Sequence, residues 1–331
     1  MEVNRVHGLD LQRKSKELLV NLDNYVKTHL EQLITQFTDC FCEYCDRIYQ
    51  MQQRGAKGPI SYIHFSVLRT NMLLKKHEIR MDAYDENWYM DSVECSGWYP
   101  VGAFYSYLEE YGEIVEELRR QSSGKISLAE AQKRVFTESN FYLFYVAELI
   151  RIGMRKAVHT ESYQKVKRAP IFVVCIGGFM DRFDIIYKED YTVKDSKEVN
   201  RYLQSREQTL FSYEFYENLD LSKGNYEDLE FQYSSFAGCD LSKSSWYKSR
   251  ILFGSFKNTI LKDTKMEKTK IFDTDFSGAT LERVSFAGAK LKNISFAGAK
   301  LKQVDFSKAL LAEEMNFKDA KLVDCKFAES R

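Results

Sequence analysis

The stretch SFAGAKLKNISFAGAKLK, residues 285–302, contains the octapeptide SFAGAKLK twice, ten residues apart. Its large apolar residues Phe286, Leu291, Phe296 and Leu301 follow one another at intervals of five. An α-helix repeats every 3.6 residues and a β-strand every two, so neither periodicity produces this spacing. The interval predicts repeating units that stack on one another.

The five-residue interval extends far beyond this stretch. From Leu221 to Leu311 all nineteen positions at this spacing are large and apolar or aromatic, although hydrophobic residues make up only 44% of the chain. Small side chains, such as Ser244 and Ala289, usually stand two residues before each centre. After Leu311 the phase slips by one residue. It resumes at Phe317, Leu322 and Phe327.

The units AGCDLSK, SGATLER and AGAKLKN resemble the pentapeptide-repeat family, whose unit is A(D/N)LXX with Leu or Phe at the centre. The resemblance covers about residues 217–331. It implies a right-handed quadrilateral β-helix in which four pentapeptides form one square coil. We expect both the large and the small positions to point inward, because a narrow core packs only when side-chain sizes alternate. At a strand spacing of about 4.8 Å, five to six coils would form a rod of roughly 27 Å.

The first 190 residues show no repeat and resemble no family. Apolar spacings of three, four and seven predict one long amphipathic helix over residues 10–52. Strands are predicted at 60–68, 73–84, 171–176 and 183–188, a loop at 85–100, and helices at 101–121 and 127–157, with Ser127 as a helix start. The fold class is therefore two-domain: an α+β domain at about 1–190, a connector at 191–216 and the repeat β-helix at 217–331.

The composition excludes some classes of protein and leaves others open. The chain has 48 basic and 48 acidic residues, so its net charge gives no argument for nucleic acid or for an acidic membrane. No apolar run approaches the ~20 residues of a membrane span, and the N-terminus lacks a signal-peptide core. The seven cysteines are scattered and odd in number, which favours reduced thiols in the cytoplasm.

Cys40, Cys42 and Cys45 form a C-x-C-x-x-C motif that could suggest a metal site. The motif lies within the predicted helix, where residues two apart point about 200° away from each other. We therefore expect structural cysteines and neither a metal nor a cofactor. Gly177-Gly178 follows an apolar strand but lacks the remaining residues of a phosphate-binding loop, so a hairpin turn is the better interpretation.

Ionisable residues in the predicted strands and loop form a possible pocket in the first domain. They could line a site with paired carboxylates for acid–base chemistry. The alternative is that they are ordinary solvated charges, since nothing in the sequence determines their geometry. The residues concerned are His64, Arg69, His77, Asp85, Glu86, Asp91 and Glu94.

One face of the predicted β-helix is a candidate docking face, because residues twenty apart stack on the same side. Arg250, Lys270 and Lys290 would form a basic column. Leu252, Phe272 and Lys292 would lie beside it, with Phe253 one residue further on. Stacked like charges repel and exposed apolar side chains reduce solubility, so a partner surface would explain both. Alternatively, the lysines keep the rod soluble and Phe272 packs against the first domain.

These features favour a non-enzymatic protein-binding or scaffold protein, with a regulatory or second binding surface in the first domain. The main alternative is an enzyme or bacterial effector whose active site lies in the first domain. Some pentapeptide proteins mimic DNA and bind type II topoisomerases, but that role needs an acidic rod. Here residues 217–331 hold 19 basic and 17 acidic residues, and residues 243–302 hold 13 and 5. Nucleic acid is therefore a weaker alternative partner, and a homodimer through the last coil is also possible.

Overall fold

The chain divides into two units, Met1–Tyr191 and Thr192–Arg331, of which the computed structural model describes residues 2–327. Met1 and residues 328–331, which the predicted domains include, lie outside the described part. The helices of the first unit are α1 (Glu2–Gln53), α2 (Arg69–Leu73), α3 (Gly102–Gln121), α4 (Leu128–Ala157) and α5 (Glu161–Lys165). Its strands are β1 (Ile60–Val67), β2 (Glu78–Tyr84), β3 (Ser96–Pro100), β4 (Arg168–Gly178) and β5 (Phe183–Asp190).

The first unit is built on a five-stranded sheet of order β3-β2-β1-β4-β5. Strands β1 and β4 are parallel, and the other neighbours are antiparallel. One face of the sheet packs on the long helices: Phe37 of α1 contacts the rings of Phe65 and Tyr99, with centroids 6.2 and 5.6 Å away. The other face carries Tyr62 and His64, which contact aromatic residues of the segment after β2.

Most predicted elements of this unit are confirmed. Helix α1 covers the predicted range, with a kink at His29 (φ −112°, ψ 16°). Ser127 caps α4 as expected, because its hydroxyl accepts a hydrogen bond from the Glu130 amide at 3.1 Å. Strands β4 and β5 form the hairpin predicted at Gly177-Gly178, in which the Gly178 amide donates to the Arg182 carbonyl at 3.2 Å.

Two element predictions are wrong in part. The strand predicted over 73–84 begins only at Glu78, because residues 69–73 form α2. The loop predicted over 85–100 contains a single 3-10 turn at Trp88–Met90 and ends in strand β3. Gly97 lets β3 lie against α1, since a Cβ atom there would come within 2.8 Å of the Tyr44 ring. A close approach of this kind depends on tertiary packing, and local composition does not show it.

The second unit is the predicted quadrilateral β-helix. Its strands are β6 (Leu210–Ser212), β7 (Glu230–Gln232), β8 (Arg250–Leu252), β9 (Ile260–Lys262), β10 (Lys270–Asp275), β11 (Thr280–Glu282), β12 (Lys290–Ser295), β13 (Lys300–Lys302), β14 (Leu310–Asn316) and β15 (Lys321–Val323). They form a six-stranded parallel sheet, β14-β12-β10-β8-β7-β6, and a four-stranded parallel sheet, β15-β13-β11-β9. Partners in register are twenty residues apart up to the slip, which corresponds to one coil.

Side chains at the five-residue interval form the core of this unit. Every centre from Leu221 to Phe306 is buried, and so are small positions such as Thr269 and Ala289. Aromatic centres stack from coil to coil. Phe236, Phe256 and Phe276, for example, have successive centroid distances of 5.0 and 4.8 Å. The inward direction predicted for both positions is confirmed.

Each corner of the coil is a residue with positive φ. Every fifth residue from Tyr213 to Lys308 has this left-handed conformation, which is uncommon outside glycine, asparagine and aspartate. Four of these corners are glycine, and Asn258 is one of those that are asparagine. The Gly, Asn and Asp residues that recur three positions before many of the core centres were a signal for the corners that our sequence analysis did not use.

The two ends of the repeat differ from its regular part. The slip after Leu311 appears as a register shift between β12 and β14, in which Ile294 pairs with Met315. The segment 191–216, interpreted from the sequence as a connector, instead contains helix α6 (Ser196–Ser205) and strand β6. Leu203 of α6 is buried in the solenoid core, and Gln204 accepts a hydrogen bond from the Asn225 amide at 3.1 Å. Helix α6 thus covers the first coil, a common requirement of repeat proteins.

Candidate functional site

The candidate docking face lies on the six-stranded sheet of the solenoid. Glu230, Arg250, Lys270 and Lys290 stand in register on successive strands, with exposed side chains at the three basic positions. Arg250 is neutralised by Glu230, with 2.8 Å between Nη1 and Oε2. Lys270 and Lys290 form no ion pair with any residue of the described range 2–327. The predicted basic column therefore exists, but its unpaired charge is concentrated at its two lysines.

An apolar column runs beside the basic one. Leu252 and Phe272 are in register on β8 and β10, both half-buried, and Lys292 follows on β12. Phe253 lies at the neighbouring corner, where its ring stacks on Tyr233 at 4.8 Å and remains 41% exposed. The sheet thus presents a small apolar surface next to fixed positive charge.

Further basic residues that the sequence analysis missed border this face. Lys248 and Lys268 occupy the same corner in successive coils, just before Arg250 and Lys270. Both ammonium groups lie over the Tyr247 ring, at 5.1 and 5.4 Å from its centroid, and Lys268 also donates to the Tyr247 hydroxyl at 3.2 Å. Cation–π contacts of this kind hold the charges without neutralising them. Their twenty-residue spacing was a usable signal.

The first unit places His64 in a buried polar row. On the sheet face away from the long helices, His64 of β1 is paired in register with Asp82 of β2 and Cys175 of β4. Its Nδ1 lies 2.9 Å from the Tyr89 hydroxyl, and its Nε2 is buried without a partner among the described residues. Burial lowers the pKa of His64 to about 4. The imidazole is therefore neutral near pH 7.

This row contains the residue types of a thiol active site, but it lacks the necessary electrostatics. Cys175 is fully buried, and burial raises the pKa of its thiol to about 12, so the reactive thiolate is suppressed. Burial also raises the pKa of Asp82, although Arg80 opposes this by hydrogen bonds of 2.8 and 2.9 Å. Rings of Trp88 and Phe183 cover the row. The arrangement is suited to sheet packing.

The other pocket residues predicted from the sequence do not join His64. Arg69 faces Asp181 at 3.7 Å, and His77 faces Glu109 of α3 at 3.3 Å. Glu94 binds Arg80 at 2.8 Å, which links it to the Asp82 end of the row. The Asp85 carboxylate accepts from the Asn87 amide at 2.8 Å, and Glu86 is exposed. The structure therefore disperses these groups around β1 and β2.

Asp91, the remaining predicted residue, has a structural environment. Its carboxylate lies 2.5 Å from the Lys57 ammonium, and both side chains are almost completely buried. Burial opposes its ionisation. Hydrogen bonds from Lys57 and from the amides of Asp85 and Val93 outweigh that effect and lower the pKa of Asp91. The pair fastens the segment after β2 to the end of α1 and leaves no carboxylate free for acid–base chemistry.

The thiols of the C-x-C-x-x-C motif face different neighbours. The Sγ atom of Cys40 lies 3.6 Å from the Trp98 carbonyl, and that of Cys42 lies 3.4 Å from the Thr160 hydroxyl. Cys45 is buried in the core. Within residues 2–327 no cluster of three His, Cys, Asp or Glu side chains is placed to hold a metal ion. A metal-free motif remains a prediction.

The geometry defines the C-terminal unit as a β-solenoid with one basic and apolar face, next to an α+β unit. Residues 229–306 match the family model described as Pentapeptide repeat region, so this unit is a pentapeptide-repeat solenoid. The family match leaves the first unit unassigned. No curated protein sequence matches the chain. No helix within the described residues combines the length and apolar composition that a bilayer crossing requires.

Solved structures similar to this chain are pentapeptide-repeat proteins or are described by their biological role. One is QnrB1, a plasmid-mediated fluoroquinolone resistance protein, at 15% identity over 37% of this chain, with a TM-score of 0.30; the match spans 61% of that protein's length. Others are Rfr23 from the cyanobacterium Cyanothece 51142 (15% identity, 41% and 96% covered, TM-score 0.24) and HetL from Nostoc sp. PCC 7120 (12%, 42% and 95%, 0.19). TM-scores this low carry no argument about function.

Proposed function

We propose that the protein is a non-enzymatic binding protein whose solenoid docks an acidic surface of another protein. The observation that carries this proposal is the combination of two unpaired lysines, Lys270 and Lys290, with the apolar side chains beside them on a flat parallel sheet. Like charges in register repel each other, and partner carboxylates between them would remove that repulsion. The apolar column would supply the buried centre of the interface.

The first unit supports the non-enzymatic part of the proposal. The ionisable residues suggested as a pocket are dispersed, and the Asp82–His64–Cys175 row is covered and has a suppressed thiolate. The first unit would then regulate the solenoid or bind a second partner. A cytoplasmic location belongs to the same proposal, because all seven cysteines are free thiols, as a reducing compartment would keep them.

The charge of the docking face argues against DNA mimicry. A DNA mimic must present carboxylates where the duplex has phosphates, whereas this face presents Lys248, Lys268, Lys270 and Lys290. Nucleic acid as a partner is instead an outcome of the test described next. Its binding would be recognised by a steep salt dependence, since each neutralised phosphate releases counterions.

The proposal is tested with a photo-crosslinking amino acid at position 252 of the full-length protein in its native cell. The same probe at position 280, on the four-stranded sheet of the opposite side, serves as the control. A protein crosslinked only from position 252 is then purified, and its affinity is measured by titration calorimetry. We expect Lys270→Glu/Lys290→Glu to weaken binding about tenfold or more, because the face is then repulsive.

The matched control is Lys262→Glu/Lys300→Glu, which reverses two exposed charges on the opposite side. This control should keep wild-type affinity. The proposal fails if both double variants lose affinity equally, or if position 252 crosslinks only to nucleic acid.

A homodimer through the last described coil is a second, separate proposal. Leu322 and Phe327 occupy core columns but are 41% and 39% exposed, because no further coil of the described range covers them. Strands β14 and β15 are the outer strands of their sheets, and such edges normally pair or are covered. Light scattering of the full-length protein should give a dimer mass, and Phe327→Glu should shift it to the monomer. A monomer mass for the wild-type protein at micromolar concentration would reject the idea.

A further inference from the structure

The first unit contains an open groove of about 670 Å³ between α2, α3 and the first turns of α4. Its floor is formed by buried side chains of α3 and α4, including Tyr105, Leu108 and Ala131. Its volume is in the range of sites that hold small organic molecules. The sequence analysis did not detect this groove, and the proposed function does not use it.

The walls of the groove are apolar and uncovered. Leu73 of α2 and Leu128 of α4 are 52% and 56% exposed at its mouth, and Val135 lines its side. Leucine side chains left in water forgo the roughly 1.5–3 kcal/mol that each gains on full burial. A ligand with an apolar body would cover them.

One polar group on the floor lacks a partner. Tyr105 lines the groove and is 3% exposed, and its hydroxyl forms no hydrogen bond with any described residue. A buried hydroxyl without a partner is unfavourable by about 1–3 kcal/mol. A polar substituent on a ligand that reaches the floor would remove this cost. The floor therefore indicates a ligand that is not purely hydrocarbon.

The charges around the groove favour a cation. Four glutamates of α3 line it, against two permanent positive charges, those of Lys75 and Arg120. Lys75 pairs with Glu109, and Arg120 lies 3.4 Å from Glu116. Glu117 forms no ion pair with a described residue, although it accepts a hydrogen bond from Gln121 at 2.8 Å. Glu113 is only 3.7 Å from the shared Lys75 ammonium, so negative charge remains in excess.

We propose that this groove binds a small organic cation with an apolar body, of the alkylammonium or arylalkylammonium class. The apolar body lies between Leu108 and Val135, and the ammonium faces Glu113 and Glu117 at the rim. An anion of the same shape meets the excess carboxylates and is rejected. A neutral alcohol gains only the apolar part of the binding free energy.

The test is titration calorimetry of the full-length protein with n-octylammonium, octanoate and 1-octanol, all below micelle-forming concentrations. We expect the ammonium to bind most tightly, the alcohol about tenfold more weakly and octanoate more weakly still. Glu113→Gln/Glu117→Gln should abolish the advantage of the ammonium over the alcohol. Glu110→Gln is the matched control, since Glu110 is exposed on α3 but does not line the groove. This control should leave the advantage unchanged.

A second pair of variants places the ligand in the groove. Val135→Trp fills the space, and Leu128→Arg adds a positive charge at an exposed position of the mouth, where folding is not at risk. Both should reduce octylammonium binding about tenfold or more. Octanoate binding as tightly as octylammonium would overturn the proposal. So would octylammonium binding that is insensitive to Leu128→Arg and to Glu113→Gln/Glu117→Gln.

Discussion

Replacing Leu281 with aspartate tests the inward phase of the repeat. Leu281 has no exposed surface and stands in register between Leu261 and Leu301 of the neighbouring coils. Backbone hydrogen bonds keep the coils at fixed separation, so the column cannot collapse around a smaller side chain. Loss of the leucine alone should therefore cost about 3–5 kcal/mol, the upper part of the range for Leu→Ala.

The new carboxyl group adds a second cost. A buried polar group without a partner costs about 1–3 kcal/mol even when it is protonated. The total, about 4–8 kcal/mol, is a large share of the ~5–15 kcal/mol that stabilises a typical domain. The apolar channel raises the pKa of the introduced carboxyl in the folded state above its unfolded value of about 3.9. The folded state then holds this proton more tightly, so the destabilisation should grow as the pH rises above ~4.

The assay is urea unfolding at pH 4.5 and 7, combined with hydrogen-exchange mass spectrometry of the solenoid peptides. Protection should fall in peptides 255–310 and remain unchanged in the first unit. The control is Ala287→Asp, one residue after the next core centre and half-exposed, which should change the free energy of unfolding by no more than about 0.5 kcal/mol. Equal losses for the two variants would show that the assigned phase is wrong.

Three further predictions concern the first unit. Lys57→Met should cost about 3–5 kcal/mol by urea unfolding because it leaves the buried Asp91 carboxylate unpaired, whereas Lys14→Met, at the exposed pair with Glu17, should cost under about 1 kcal/mol. The free energy of unfolding should fall by about 3 kcal/mol between pH 6.5 and 4, because the unfolded state binds a proton at His64 before the folded state does. His64→Gln should lack this contribution, and an unchanged pH dependence would contradict it. Elemental analysis should find no stoichiometric zinc or iron; metal that disappears in Cys42→Ser/Cys45→Ser would disprove a purely structural role for these cysteines.

The repeat was predictable because one rule acts at every fifth residue, so the chain states its core nineteen times. Helix α6 was missed because it has only one buried residue, Leu203, and its role depends on the coil that it covers. The position of β3 likewise depends on its contact with Tyr44 in α1. Local pattern does not contain information of this kind.

The candidate sites divide in the same way. The basic column of Arg250, Lys270 and Lys290 could be derived because spacing alone determines which residues stack in a solenoid. The Asp82–His64–Cys175 row could not, because it requires the strand order and the register of three strands distant in sequence. The groove between α3 and α4 requires the angle and separation of two helices. No residue pattern specifies these.

The left-handed corners give the solenoid the property of a ruler. Because a corner every five residues keeps each side straight, outward side chains recur at about 4.8 Å steps that no side chain can stretch. The two unpaired lysines are therefore held one step apart, and a partner must bring its own charges to that interval. A designer could use the same rule in reverse: changing one residue in twenty writes a single row of chosen side chains along the rod while leaving its core untouched.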